Sequence, residues 1–320
     1  MNPYVFVVGC PRSGTTLLQR ILDAHPQLAV IDETLWITRY LHRLRYVSAE
    51  GIVAPGLLTR LREDRRFARL ELDPESLEQL TRRLEKSPLP YSRFVTTIFD
   101  LYGEARGKQL VGDKSPGYVR SITTLHALWP EARYLHLLRD GRDVSLSALA
   151  WKKADRLFEG YPTWPDEPVM TAALWWERNV RLGREAAAEL PRDLYHELRY
   201  DDLIRRPAAT CAEICGFLRL PYSDSMLRFH EGRANPSPEL PSKRRWLPPT
   251  AGLRDWRVEL SPPDLERFEA VAGDLLHELG YERGVAEPRR DRLTAARAAR
   301  RLVSDRVRSR GRPLPEAWAA

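Results

Sequence analysis

The stretch Val5-Phe6-Val7-Val8-Gly9-Cys10-Pro11-Arg12-Ser13-Gly14-Thr15-Thr16-Leu17-Leu18 constrains the fold more than any other part of the chain. It opens as a short β-branched and aromatic run, the composition of a buried strand. Gly9 and Gly14 then bracket a turn, and an apolar-periodic segment runs from Thr16 to Ala24 as a helix would. Strand, glycine-bounded loop and helix form a phosphate cradle. Loop N–H groups converge on an anion, and the helix N-terminus adds partial positive charge. The spacing is that of the P-loop G-x-x-x-x-G, but Thr15-Thr16 stand where a nucleotide-hydrolysing loop carries Lys-Ser/Thr. Without that lysine the loop suits a smaller phosphate released as a leaving group, with Arg12 supplying the fixed charge.

Downstream, strand patterns recur and end in polar residues. Leu28-Ala29-Val30-Ile31 leads to Asp32-Glu33-Thr34, and Lys108-Gln109-Leu110-Val111-Gly112 leads to Asp113-Lys114-Ser115-Pro116. Arg133 to Leu138 leads to Arg139-Asp140-Gly141-Arg142-Asp143, and Leu194 to Tyr200 leads to Asp201-Asp202. Helical patterns lie between them, which predicts an α/β, P-loop-type three-layer fold with a central parallel sheet of about five strands and helical insertions. In such a sheet the carboxyl ends of the strands line the ligand crevice, so Asp32 and Glu33 are candidates for acid–base chemistry. Residues 35–107 read as a long helical insertion or lid, with Asp73-Pro74 and Ser92 marking helix starts. Trp151 to Trp176 mixes prolines and aromatics and reads as a loop over the site, followed by a long helix to about Leu190. His25 and His136 read as structural.

With 320 residues the chain can bury a full core. No apolar run approaches the ~18–20 residues needed to span a bilayer. The strand that starts almost at the first residue leaves no room for a signal peptide, so a cytoplasmic location is expected. Cys10, Cys211 and Cys215 form neither a disulfide framework nor a zinc pattern. The latter two read as core, whereas Cys10 lies beside the loop, where alkylating reagents would find it. The net charge is +7, and residues 288–320 hold ten arginines against Asp291, Asp305 and Glu316, the whole of that surplus. The balanced body, 1–287, therefore shows no nucleic-acid signature. The Arg-rich tail reads as a peripheral helix with Leu293, Ala296, Ala299, Val303 and Val307 along one side. Contact with an anionic membrane or a partner is the other reading.

Pro11-Arg12-Ser13-Gly14-Thr15-Thr16-Leu17 resembles the 5′-phosphosulfate loop of sulfotransferases that use 3′-phosphoadenosine 5′-phosphosulfate (PAPS). Arg139 at a strand end and Ser147 eight residues on resemble the family's 3′-phosphate site, and Lys152 matches a further basic phosphate contact of the tyrosylprotein branch. His25-Pro26 through Asp32-Glu33-Thr34 resembles the tyrosylprotein and heparan branch, whose base is a glutamate at the end of the second strand. Cytosolic small-molecule members place a histidine on a Lys-Thr-His segment, and here that segment is Asp113-Lys114-Ser115-Pro116 without a histidine. The resemblance therefore implies Glu33 as general base, with adjacent Asp32 and burial tuning it, and Lys114 and Arg12 stabilising the transferring group. It implies donor contacts from Arg12, Ser13, Gly14, Thr15, Thr16, Arg139, Ser147, Lys152 and Tyr200, the last within Leu198-Arg199-Tyr200-Asp201-Asp202-Leu203. A basic loop over the 3′-phosphate is implied somewhere in 243–257, with Lys243, Arg244 and Arg245 as candidates. Cys215-Gly216-Phe217-Leu218, Arg254-Asp255-Trp256-Arg257 and Leu279-Gly280-Tyr281 extend the likeness to about Tyr281. The expected reaction is sulfuryl transfer from PAPS to a hydroxyl acceptor (sugar, lipid, peptide or secondary metabolite), leaving PAP and needing no metal. The competing readings are a P-loop small-molecule kinase with Asp140 holding magnesium, and a non-catalytic nucleotide-binding module.

Overall fold

The computed structural model of the chain describes residues 2–232 and 246–307. Five parallel strands, β1 (Val5–Gly9), β2 (Leu28–Asp32), β3 (Leu110–Lys114), β4 (Arg133–Leu138) and β5 (Tyr195–Arg199), form one sheet in the order β2-β3-β1-β4-β5. All strands run the same way, so every candidate named at a strand end reaches the same edge of the sheet. The register refines this. Asp32 lies opposite Lys114, Val7 is also opposite Lys114, Gly9 is opposite Leu137, and Leu138 is opposite Arg199.

Period-two alternation along β1 explains the three layers. Phe6 and Val8 face a core shared with Ala29, Ile31, Tyr134 and the insertion helices. Val5 and Val7 face the opposite one, with Leu18, Ile21, Leu198 and Cys211. A third cluster lies between the helices Gly141–Leu149, Pro168–Glu189, Pro262–Glu278 and Arg290–Val307. Ser261 caps the third of these, its hydroxyl accepting from the Asp264 N–H at 3.3 Å. Residues 35–107 form the helices Trp36–Leu41, Gly56–Arg62, Arg65–Ala68, Pro74–Lys86 and Tyr91–Glu104. Their buried faces, including Trp36, Leu57, Phe67, Leu80 and Phe94, are continuous with the sheet core. No helix among the described residues is long and apolar enough to cross a membrane.

Three local expectations need correction. β3 starts at Leu110 rather than Lys108, so Asp113 and Lys114 are strand residues and not a loop after it. Gly112 explains the register: a Cβ there would lie 2.5 Å from Val5 Cγ1 and 2.6 Å from Val5 O, so β1 and β3 pair closely only at glycine. Trp175 and Trp176 belong to the helix that starts at Pro168, not to a loop. Both are buried, and the Trp176 indole N–H donates to Arg139 O at 3.2 Å. Helix Tyr91–Glu104 starts one residue before Ser92, with Pro90 as its N-cap.

Candidate active site

The loop after β1 turns tightly. Ser13 N–H donates to Cys10 O at 3.2 Å, and Arg12 and Gly14 take φ of 77° and 95°. Gly14 N-caps the helix Thr15–Asp23 with no side-chain acceptor, so the helix starts with free N–H groups facing the crevice. A Cβ on Gly14 would lie 2.5 Å from the Tyr200 ring, so only glycine admits that tyrosine. The same ring carries the Arg139 guanidinium at 4.3 Å. Tyr200 thus joins the loop to the end of β4.

Arg12 Nε donates to Ser147 Oγ at 3.0 Å. The resemblance sets Ser147 beside Arg139; the fold also bonds it to Arg12 and so ties the loop after β1 to the helix Gly141–Leu149. Arg139 pairs with Asp143 at 3.3 Å, and Asp143 accepts the Trp256 N–H at 3.0 Å. Burial pushes the Asp143 carboxyl up to about 6 against the pull of Arg139. Buried Ser13 Oγ and Arg139 Nε have no partner among the described residues. An unsatisfied buried donor in each of these two segments, the loop and the end of β4, suits a ligand with a phosphate at either end, so the residues present fit PAPS. Lys152 is exposed, in the turn that follows the helix Gly141–Leu149. Arg139, Tyr200, Arg254 and Trp256 line a cleft of about 390 Å³ beside this point.

On the other side of β1, Lys114 is 1% exposed. Its ammonium lies 2.6 Å from Asp32 Oδ1 and 2.9 Å from Glu33 Oε1, and donates to Thr16 Oγ1 at 3.4 Å. Cation, both carboxylates and the first turn of the loop helix thus form one contact chain. Glu33, at φ 59°, is 37% exposed, so the burial expected around it is not found. The strain at a non-glycine residue with positive φ is held by Glu33 N–H donating to Lys114 O at 2.9 Å. Thr34 N–H donates to buried Asp113 Oδ2 at 3.1 Å, whose carboxyl burial pushes up to about 6.

Sequence reasoning missed two arginines. Arg66, from the insertion, approaches Glu33 Oε2 at 3.8 Å. Arg254 acts on Arg12 through space: burial is the main cause lowering the Arg12 pKa, and Arg254 is the next. Neither carries a local signal, although Arg254 sits in a segment whose family likeness was legible. Lys243, Arg244 and Arg245 lie outside the described residues. His25 and His136 are held in the structure: His25 Nε2 donates to Pro221 O at 2.9 Å, and His136 Nδ1 shares a hydrogen bond with Tyr195 OH at 2.5 Å. Cys10 is buried and its thiol is pushed up by burial, which removes the expected sensitivity to alkylation.

Parallel strand ends, a loop cradle, a second arginine site and a lysine–carboxylate cluster define a P-loop-like α/β group-transfer enzyme. Residues 3–224 match the profile of the sulfotransferase family, and the chain belongs to that family. Among its relatives is protein-tyrosine sulfotransferase 1 of Danio rerio, 26% identical over 88% of this chain and 72% of the relative. The sulfotransferase domain from the curacin biosynthetic pathway has a similar fold: TM-score 0.61, 20% identity, 88% of this chain and 99% of that one. So does the sulfotransferase domain of the Synechococcus PCC 7002 olefin synthase: TM-score 0.58, 24% identity, 88% of this chain and 95% of that one. Family membership sets aside the kinase and non-catalytic alternatives. Asp140, the kinase reading's magnesium holder, instead caps the helix Gly141–Leu149 and pairs with Arg142 at 2.7 Å.

Proposed function

We propose that the chain transfers the sulfuryl group of PAPS to a hydroxyl, with Glu33 as general base. The observation that carries this reading is the Lys114 ammonium, held 2.9 Å from Glu33 Oε1 and 3.4 Å from Thr16 Oγ1 in the donor loop. One cation thus touches both the proposed base and the proposed donor cradle. As the acceptor oxygen bonds to sulfur, its proton passes to Glu33 and the S–O bond to the 5′-phosphate breaks. Lys114 and Arg12 then meet the charge that grows on the departing phosphate oxygen. Ser13, Gly14, Thr15 and Thr16 hold the 5′-phosphate. Arg139, braced by Asp143 and Tyr200, takes the 3′-phosphate with help from Ser147 and Lys152. Segment 35–107 forms the acceptor wall, with Arg66 steadying Glu33.

The named relatives favour a tyrosine hydroxyl as acceptor, so phenolic and peptidyl tyrosine acceptors are the first to supply. Incubation with PAPS and a tyrosine peptide should add the mass of one SO₃ to the peptide, and PAP should bind in EDTA. An enzyme that binds PAP but sulfates no phenolic, sugar or lipid hydroxyl refutes the catalytic reading. One that binds ATP–magnesium and not PAP refutes the donor reading as well.

A further inference from the structure

We propose that the outward face of the helix Arg290–Val307 docks on an anionic phospholipid surface. The inner side of this helix belongs to the fold. Ala296, Ala299 and Val303 are buried in the third core cluster. Arg300 pairs with Glu177 at 2.5 Å and donates to Val271 O at 2.8 Å, while Arg292 and the preceding Arg289 pair with Glu266 at 3.9 and 2.9 Å. These arginines are structural.

Arg290, Arg297 and Arg301 differ. All three are exposed, and none has an ion-pair partner among the described residues. At about 100° per residue they fall within an arc of about 40°, opposite the buried side, along about 16 Å of helix axis. Arg297 and Arg301 stand one turn apart, a like-charge spacing that weakens a helix. Among the described side chains no ion pair takes one of these three arginines, and their charge is complementary to an external anion. Of the two acidic residues of the helix, Asp291 lies about 100° and Asp305 about 60° round from Arg290, both outside that arc. On that same flank Leu302 is 56% exposed, an apolar side chain next to the basic face.

The occupant follows from shape and charge. Residues 1–287 are charge-balanced, so the net positive surplus of the chain lies at this end, and on the helix it forms one straight strip rather than a groove. A straight basic strip with an apolar side chain on its flank matches a planar array of lipid phosphates better than a duplex.

The test is sedimentation of the full-length protein with phosphatidylcholine vesicles, with and without phosphatidylserine. Binding is expected only with phosphatidylserine and should fall as salt rises. The triple variant Arg290→Gln/Arg297→Gln/Arg301→Gln should lower the partition coefficient about a hundredfold, and Arg297→Gln alone about fivefold. The corresponding triple lysine variant should keep binding. Unchanged turnover on a soluble acceptor separates these effects from misfolding. Equal partition of wild type and triple glutamine variant overturns the proposal. So does tighter binding to a short DNA duplex than to vesicles, lost on the same substitutions.

Discussion

Lys114→Met is the sharpest perturbation of the site. Methionine fills the aliphatic volume of lysine in a position 1% exposed, so packing is largely kept while the charge is lost. Asp32 and Glu33 then lose a cation at 2.6 and 2.9 Å. Breaking a fully buried ion pair costs about 3–5 kcal/mol. Both carboxylate side chains, however, are 33% and 37% exposed, and water reclaims them. The stability cost is therefore discounted to about 1–2 kcal/mol. On the proposed mechanism the catalytic cost is larger, because there the ammonium acts on charge that develops only in the transition state. Removing one such group typically lowers kcat by about 10²–10³-fold. The assay is single-turnover sulfation with PAPS, alongside PAP calorimetry and a urea melt. A folded variant should bind PAP within a few-fold of wild type and turn over at least a hundredfold more slowly. Turnover within tenfold of wild type, or a loss of PAP affinity equal to the loss of turnover, would refute the assigned role.

Gly14→Ala combines a Cβ 2.5 Å from the Tyr200 ring with φ 95°, and should cost about 1–3 kcal/mol in thermal unfolding while weakening PAP binding. Asp113→Asn should stabilise the protein at pH 7.5 by up to about 3 kcal/mol and have little effect near pH 4, read from urea midpoints at both pH values. The sign follows from a folded value raised to about 6: that carboxyl's contribution is complete below its unfolded value and lost as pH rises through about 6. His136, lowered to about 4 by burial, works the other way, losing its contribution as pH falls from its ordinary value towards 4. Arg142→Leu leaves Asp140 and Glu269 without the guanidinium that lies 2.7 Å from each, and should cost about 3–5 kcal/mol on chemical unfolding.

What the sequence disclosed is what neighbouring residues decide. The loop from Gly9 to Thr16 is a local motif whose backbone geometry its glycines impose. The parallel sheet follows from strands alternating with helices, and a parallel sheet delivers Glu33, Lys114, Arg139 and Tyr200 to one edge whatever the connections do. Contacts set by distant packing were not legible. The resemblance sets Ser147 beside Arg139, but its bond to Arg12, 135 residues away, has no local signal. Val5 packs on Gly112, where a Cβ would lie 2.5 Å away, and the Trp176 ring packs on Gly141, where a Cβ would lie 2.4 Å away, contacts between segments far apart in the chain. Arg66 comes to Glu33 only because the insertion folds back onto the sheet.

The charge layout also explains why this loop dispenses with the P-loop lysine. A lysine after Gly14 would enter a crevice that already holds Arg12 and Arg139, with Lys114 donating to the Thr16 hydroxyl. Arg12 is lowered in pKa by burial first, then by Arg254, with Arg139 adding to the effect and Glu33 opposing it. The unliganded site therefore carries like-charge repulsion between guanidiniums that local carboxylates only partly offset. Asp143 holds Arg139, and Glu259 holds Arg254 at 2.5 Å. A ligand with phosphates at both ends relieves that repulsion at both places, whereas a monophosphate relieves it at one. On the proposed reading, a donor phosphorylated at both ends is therefore favoured over a monophosphate.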